Sequence, residues 1–350
     1  MDNPVKIAVV GGGFGSKVAL PAYQELDEFE PVAIWSRRPE RARELAEDGG
    51  LELGTADYDE LISFPGLEAV HVATPVVTHL PFAVAAAERG LHVLCEKPLG
   101  DNMAEARQIV AAIRSAGVVG SVGYELRLKE TRQRLIEHAR EVFGRPRMVA
   151  VALVQSNHAD PYTRPHTWVH DATMGGGRLQ GYGVHDLDML LQVVPPVEAV
   201  AAVTEVGVTV RTAGGDDDEL LPVTAEDAYA ILLRFRGGGL GVVSLVATAR
   251  HGRGDVIELH GDEGTVRLDA DQRVWWGRAG EELQQEGPLD NSSSEGFKRL
   301  ATNFWAAIRE GAAPEPSLEE GLRVQALFDA VRLAATEHRW VRPEPVTPLG

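Results

Sequence analysis

The spacing of apolar and polar positions changes character near residue 123. Before that point, short apolar runs at residues 5–10, 31–35, 69–73, 91–95 and 118–122 alternate with longer stretches of helical periodicity at 16–26, 40–47, 78–88 and 101–115. Runs of this length bounded by Gly, Pro, Ser or Thr read as buried strands. Regular strand–helix alternation predicts an α/β, doubly wound parallel sheet. Thr78 and Asp101 are placed to cap the third and fourth of these helices. Beyond residue 123 a helix is expected over 129–142, followed by longer strand-like runs at 147–155, 197–211, 228–236, 239–249, 255–260 and 264–268. Gly237-Gly238 and Gly261-Asp262 read as hairpin connections, so this part is expected to be an antiparallel sheet. Residues 214–219, Gly-Gly-Asp-Asp-Asp-Glu, read as a solvated acidic loop between two of its strands. Two amphipathic helices, 294–310 and 317–338, close the chain, with Phe297, Leu300, Phe304, Trp305, Leu327 and Phe328 as core residues. The expected division is therefore a first domain over 1–123 and a second over 124–350.

Composition narrows the classes. The 350 residues carry a formal net charge of -18, which argues against a nucleic-acid surface. A single cysteine, Cys95, excludes an internal disulfide and a multi-cysteine zinc site. No apolar run approaches the ~20 residues of a membrane span, and the first apolar run is short and leads straight into a glycine turn, unlike a signal peptide. A cytoplasmic protein is expected.

The first run is followed at once by Gly11-Gly12-Gly13-Phe14-Gly15-Ser16. A strand, a glycine turn and a helix form the phosphate cradle of a dinucleotide fold: Gly11 allows the tight turn and Gly13 the approach of a pyrophosphate to the backbone. Phe14, Gly15 and Ser16 complete the cradle, with Ser16 where a third glycine often stands. The second strand ends in Ser36-Arg37-Arg38, where an NAD-preferring site usually places a carboxylate for the ribose hydroxyl. Guanidinium forks match phosphate geometry, so this sequence points to NADP, with NAD as the alternative. Thr74 and Pro75 end the next strand, and His79 follows in the first turn of its helix, as a cofactor contact or a structural histidine.

The run 91–95 leads into Glu96-Lys97-Pro98. In open parallel sheets ligands bind beyond the carboxyl ends of the strands, which places Lys97 toward a ligand. Only five of the 34 Lys and Arg residues are lysines, so an ammonium here is an unusual choice of cation for this chain. In the second domain, Gly181-Tyr182-Gly183-Val184-His185-Asp186-Leu187-Asp188 opens a helix with His185 and Asp188 on one face. A carboxylate beside an imidazole raises its basicity, which suits a general acid/base; a hydrogen-bonded core histidine is the competing reading. His166 and His170 have the spacing of a helical metal pair but no third ligand nearby, and no metal is expected.

The glycine turn, Glu96-Lys97-Pro98, Gly183-x-His185-x-x-Asp188 and the Ser317-Leu318-Glu319-Glu320-Gly321-Leu322 opening of the last helix occur in an order that resembles the Gfo/Idh/MocA oxidoreductases over almost the whole chain. The resemblance implies an N-terminal Rossmann domain and a C-terminal α/β domain with an open, mostly antiparallel sheet. It also implies a homodimer or homotetramer formed through that sheet, and hydride exchange between NAD(P) and a sugar, cyclitol or related alcohol/carbonyl compound. Lys97 would stabilise the substrate oxygen, Glu96 would join the cofactor site, and His185 would move the proton. Tyr124, Arg127, Trp168, His170 and Asp171 would lie near the substrate. Relatives commonly carry an aspartate four residues before the histidine; here that position is Gly181, with Asp188, Asp186 or Tyr182 as candidate replacements. A cofactor-binding sensor with little turnover is the rival function.

Overall fold

The computed structural model describes residues 4–214 and 217–346. The chain divides into two compact units. Of the described residues, one takes in 4–128 and Ser292–Gln325; the other takes in 129–214, 217–291 and 326–346. The chain thus crosses between the units after Leu128, Asn291 and Gln325. Hydrophobic burial is the reason: Phe297, Leu300 and Phe304 of the helix Ser293–Arg309 are fully buried in the core of the first unit with Val5, Ile7, Val9 and Tyr23. Each such side chain contributes about 1.5–3 kcal/mol when removed from water.

The first unit is built on six strands: β1 (Val5–Val10), β2 (Phe29–Trp35), β3 (Leu53–Thr55), β4 (Ala69–Val72), β5 (His92–Cys95) and β6 (Gly120–Val122). All pair in parallel in the order β3-β2-β1-β4-β5-β6, the doubly wound arrangement expected. Neither expected side-chain cap forms as read. Asn102, not Asp101, caps the helix Met103–Ala116, accepting from the Glu105 N–H at 3.1 Å. The Thr78 hydroxyl turns back to Thr74 Oγ1 at 2.8 Å and to the Pro75 carbonyl.

The second unit holds β7 (Pro146–Val154), β8 (Val197–Glu205), β9 (Val210–Gly214), β10 (Asp217–Pro222), β11 (Ala228–Phe235), β12 (Leu240–Val246), β13 (Gly254–Gly261), β14 (Gly264–Leu268), β15 (Val274–Arg278) and β16 (Gln284–Glu286). Eight of them form one sheet in the order β16-β15-β14-β13-β7-β12-β11-β8, antiparallel except for β7 against β12. The expected strand over 197–211 is broken in two. Asp227 causes the break: its carboxylate accepts the N–H groups of Gly207 and Val208, both at 2.8 Å, which takes them out of a ladder. The acidic stretch is also corrected, since β10 begins at Asp217 and pairs with β9 as a separate hairpin; Gly215 and Asp216 lie outside the described residues.

On one face of the large sheet Val149, Val151, Leu153, Ile231, Leu233, Val243 and Leu245 are buried. The opposite face leaves Met148, Leu232, Leu240 and Val203 exposed, at 38%, 47%, 53% and 59%. Among the described residues, no helix is long and apolar enough to cross a membrane.

Candidate active site

In the first unit the candidate residues collect at one end of the sheet, because β2, β1, β4 and β5 are adjacent and parallel and each ends in one of the singled-out segments. The glycine turn leaves β1 with the Gly11 N–H donating to the Trp35 carbonyl at 3.0 Å. Gly11 has φ +139°, and a Cβ there would stand 2.2 Å from the Ala73 carbonyl oxygen, so only glycine fits. A Cβ on Gly13, in contrast, would meet nothing within 4 Å. That is the open cradle a pyrophosphate requires, beside helix N–H groups that have no preceding carbonyl to pair with. The turn leads into a π-helical stretch, Gly15–Ala19, before the α-helix Leu20–Gln24. Ser16 bonds back through its hydroxyl to the Gly12 carbonyl at 2.9 Å. Phe14 packs half-buried against Phe297. The residues present fit a dinucleotide.

At the end of β2, Ser36 is buried beneath Gly12, while Arg37 and Arg38 are exposed. At the end of β4, Thr74 and Pro75 are partly exposed. His79 is 1% exposed, with Nδ1 3.1 Å from the Pro98 carbonyl and Nε2 2.9 Å from that of Thr74. It ties together the loops after β4 and β5. Glu96 is buried as well. Its carboxylate turns into the core, where Oε1 lies 3.3 Å from Nε2 of the fully buried His71. Lys97 alone of this segment is partly exposed, at the carboxyl end of β5 and joined to Pro98 by a cis peptide.

After β6, Tyr124 is fully buried. Arg127 is 1% exposed and pairs with Glu320 at 2.6 Å. Glu320 also receives the Ser317 N–H at 2.8 Å and sends its own N–H to the Ser317 hydroxyl, a capping box at the start of the helix Leu318–Glu337. Burial opposes charge on Glu320, yet Arg127 and Ser317 pull its carboxyl down to about 2.

In the second unit the histidine helix Val184–Leu190 also begins with a π-helical stretch, Leu179–Gly183. His185 is 2% exposed and Asp188 0%, three residues apart on one helix face. Asp186, equally buried, is committed elsewhere: Arg132 donates to it at 2.7 Å and also to the His185 carbonyl at 3.3 Å. Burial lifts the Asp186 carboxyl to about 6 against the pull of Arg132. Of the three candidates to replace the missing aspartate, Tyr182 lies under the Arg178 guanidinium at 5.3 Å. A Cβ on Gly181 would meet nothing within 4 Å, so this position lacks a carboxylate by sequence, not for want of room.

Trp168 and His170 sit on a single 3₁₀ turn, Trp168–His170, with Trp168 42% exposed and His170 buried. Asp171 caps the next turn, accepting from the Thr173 N–H at 2.8 Å. The stretch carrying His166 and His170 is not α-helical, and no group of three metal-ligating side chains occurs among the described residues. Sequence reasoning missed His71, Arg132 and Glu320 as the partners that fix Glu96, Asp186 and Arg127. Only Glu320 left a local trace, in its Ser-x-x-Glu spacing.

Comparison with known proteins bears on both units. A model of the GFO_IDH_MocA family, described as an oxidoreductase family with an NAD-binding Rossmann fold, matches residues 5–124. Its companion, an oxidoreductase C-terminal alpha/beta domain, matches 135–342. The chain is 28% identical to levoglucosan dehydrogenase of Pseudarthrobacter phenanthrenivorans, over 97% of this chain and 98% of the relative. It is 26% identical to myo-inositol 2-dehydrogenase of Thermotoga maritima, over 98% and 99%. With 1,5-anhydro-D-fructose reductase of Ensifer adhaerens the identity is 30%, over 87% and 89%. The solved structure of levoglucosan dehydrogenase in complex with NADH and L-sorbose superposes with a TM-score of 0.86 at 26% identity, covering 98% of this chain and 100% of that one.

Proposed function

The chain belongs to the Gfo/Idh/MocA oxidoreductase family, and on that premise we propose that it is an NADP(H)-preferring dehydrogenase of a sugar, cyclitol or related small alcohol/carbonyl compound. The observation that carries this reading is the lysine at the carboxyl end of β5, on the same sheet end as an open glycine turn. The bound nicotinamide supplies the hydride chemistry. The chain's own residues supply the rest. Gly11 and Gly13 let the pyrophosphate reach the backbone. The Lys97 ammonium donates to the substrate oxygen and stabilises the negative charge that develops there. His185 exchanges the hydroxyl proton, with Asp188 buried on the same helix face.

Support for NADP comes from the end of β2, where two exposed guanidiniums stand and no carboxylate does. Titration of NADPH and NADH into the purified protein tests it. Arg37→Ala is expected to weaken NADPH binding by about tenfold and leave NADH binding nearly unchanged, as for one lost charge-assisted contact. An equal effect on both cofactors would make Arg37 a bystander. A homo-oligomer is supported by the apolar open sheet face, where Met148, Leu232, Leu240 and Val203 project from four adjacent strands; a second copy covering it would remove these side chains from water. The chain's lone, fully buried cysteine suits a reducing, cytoplasmic location.

A further inference from the structure

The second unit contains a cavity of about 20 Å³ whose wall includes His158, His170, Arg178 and Arg211. Three buried nitrogens on these residues have no hydrogen-bond partner: Nε2 of His158, Nε2 of His170 and Nε of Arg211. Their side chains are 5%, 7% and 1% exposed. The chemistry of two of them can be assigned. His170 Nδ1 accepts the Thr167 N–H at 3.0 Å, so the neutral ring carries its proton on Nε2 and that atom is a donor. Arg211 Nε is always a donor, and each of its two Nη atoms donates to a carbonyl, those of Asp160 and His158. The two imidazoles lie close, with ring centroids 5.7 Å apart. A buried donor left without an acceptor costs about 1–3 kcal/mol.

The acidic side chains on the same wall do not answer these donors. Both oxygens of Asp227 accept backbone N–H groups, from Gly207 and Val208. Glu226 accepts the Leu179 N–H, and burial holds its carboxyl above the usual range, toward the neutral form. Arg164 adds positive charge from a nearby loop, and the environment disfavours any further positive charge. Burial, then Arg178, Arg211 and Arg164, hold His158 at about 3; burial, then Arg211, His166 and Arg178, hold His170 at about 4. The cavity is thus a donor-lined, positively biased space with room for one species about the size of a water molecule.

We propose that this cavity is a binding site for a small inorganic monovalent anion of halide size, held by His170 Nε2–H, Arg211 Nε–H and the Arg178 charge. The site ties β9 to the loop after β7 and to the turn Trp168–His170, so occupancy stabilises that part of the second unit. It does not depend on the dehydrogenase reading, and its test uses no turnover.

The experiment is thermal unfolding of the full-length protein in sodium chloride, sodium bromide or sodium gluconate at equal ionic strength, paired with diffraction at the bromine edge from bromide-soaked crystals. The expected result is a saturable rise in Tm with either halide over gluconate. A Kd on the order of 10 mM would raise the folded-to-unfolded ratio by ~10-fold at about 100 mM halide. An anomalous peak is expected in the cavity, beside His170 Nε2. His170→Phe removes the donor and is expected to abolish the halide dependence; should it fail to fold, the bromide peak and the wild-type titration still decide. An ordered water with equal Tm in all three salts would overturn the proposal. So would a bromide peak with no saturable solution effect, which would mark an adventitious ion only.

Discussion

The glycine turn of the first unit and the histidine helix of the second are built on opposite principles. Both start with a π-helical stretch, Gly15–Ala19 and Leu179–Gly183, and such stretches recur at functional sites. From there they diverge. The glycine turn works by empty space: Gly13 is exposed and a side chain there would touch nothing. The histidine helix works by filled space: Val184, His185, Asp186, Leu187, Asp188, Met189 and Leu190 are all buried, two carboxylates among them. A site of the first kind tolerates change wherever nothing is packed. A site of the second kind depends on partners that offset the burial of charge.

The largest effect expected from this contrast is at Arg132. Removing it leaves the Asp186 carboxyl buried without its guanidinium, which costs about 3–5 kcal/mol. Arg132→Ala is therefore expected to lower the denaturation midpoint severely, and a loss below 1 kcal/mol by chemical unfolding would show that the pair is not what supports the histidine helix. Next come the glycines. Gly11→Ala forces a Cβ toward the Ala73 carbonyl at a positive φ, and is expected to cost about 2–3 kcal/mol and to abolish cofactor binding. Gly13→Ala is expected to keep stability within about 0.5 kcal/mol while weakening the cofactor. Equal unfolding midpoints for the two variants would erase the distinction between strained and open glycines.

A subtler test uses pH. Asp186 has a folded pKa of about 6 against an ordinary 3.8. The folded state holds that proton more tightly, so its contribution falls as pH rises from about 4 to about 6. Glu320 runs the other way, at about 2 against 4.5. The stability it contributes is present above about 4.5 and is lost as pH falls toward 2. Glu320→Gln is expected to cost about 2 kcal/mol at neutral pH, less than the full shift because the side chain is 20% exposed. The difference from wild type should shrink steadily below pH 4.5 in equilibrium unfolding; a pH-independent difference would mean that packing, not charge, holds Arg127.

Much of the first unit was legible because its determinants are local. A run of apolar residues, a glycine turn and the next helix are consecutive in sequence, and the β1-to-helix unit follows from them. What escaped was set by distance. Nothing local shows that His71, 25 residues before Glu96, stands beside it. Nor does anything local show that Glu320, 193 residues after Arg127, pairs with it. The run 197–211 is apolar enough for one strand, and only the Asp227 carboxylate explains why it is two. The hairpin of β9 and β10 was hidden by its acidic composition, which local propensity assigns to a loop. His185 and Asp188 were found by helical spacing, but that Asp186 between them belongs to Arg132 is a matter of tertiary packing.

The central claim is that Lys97, partly exposed at the end of β5, acts on the substrate and not on the fold or the cofactor. The most direct measurement is steady-state oxidation of a sugar and cyclitol panel by wild type and Lys97→Ala, with NADPH affinity titrated for both. The account predicts a fall in turnover of ~10²–10³ with cofactor Kd changed by less than about threefold, as for a lost electrostatic stabiliser. Unchanged turnover, or a loss explained wholly by weaker cofactor binding, would contradict it.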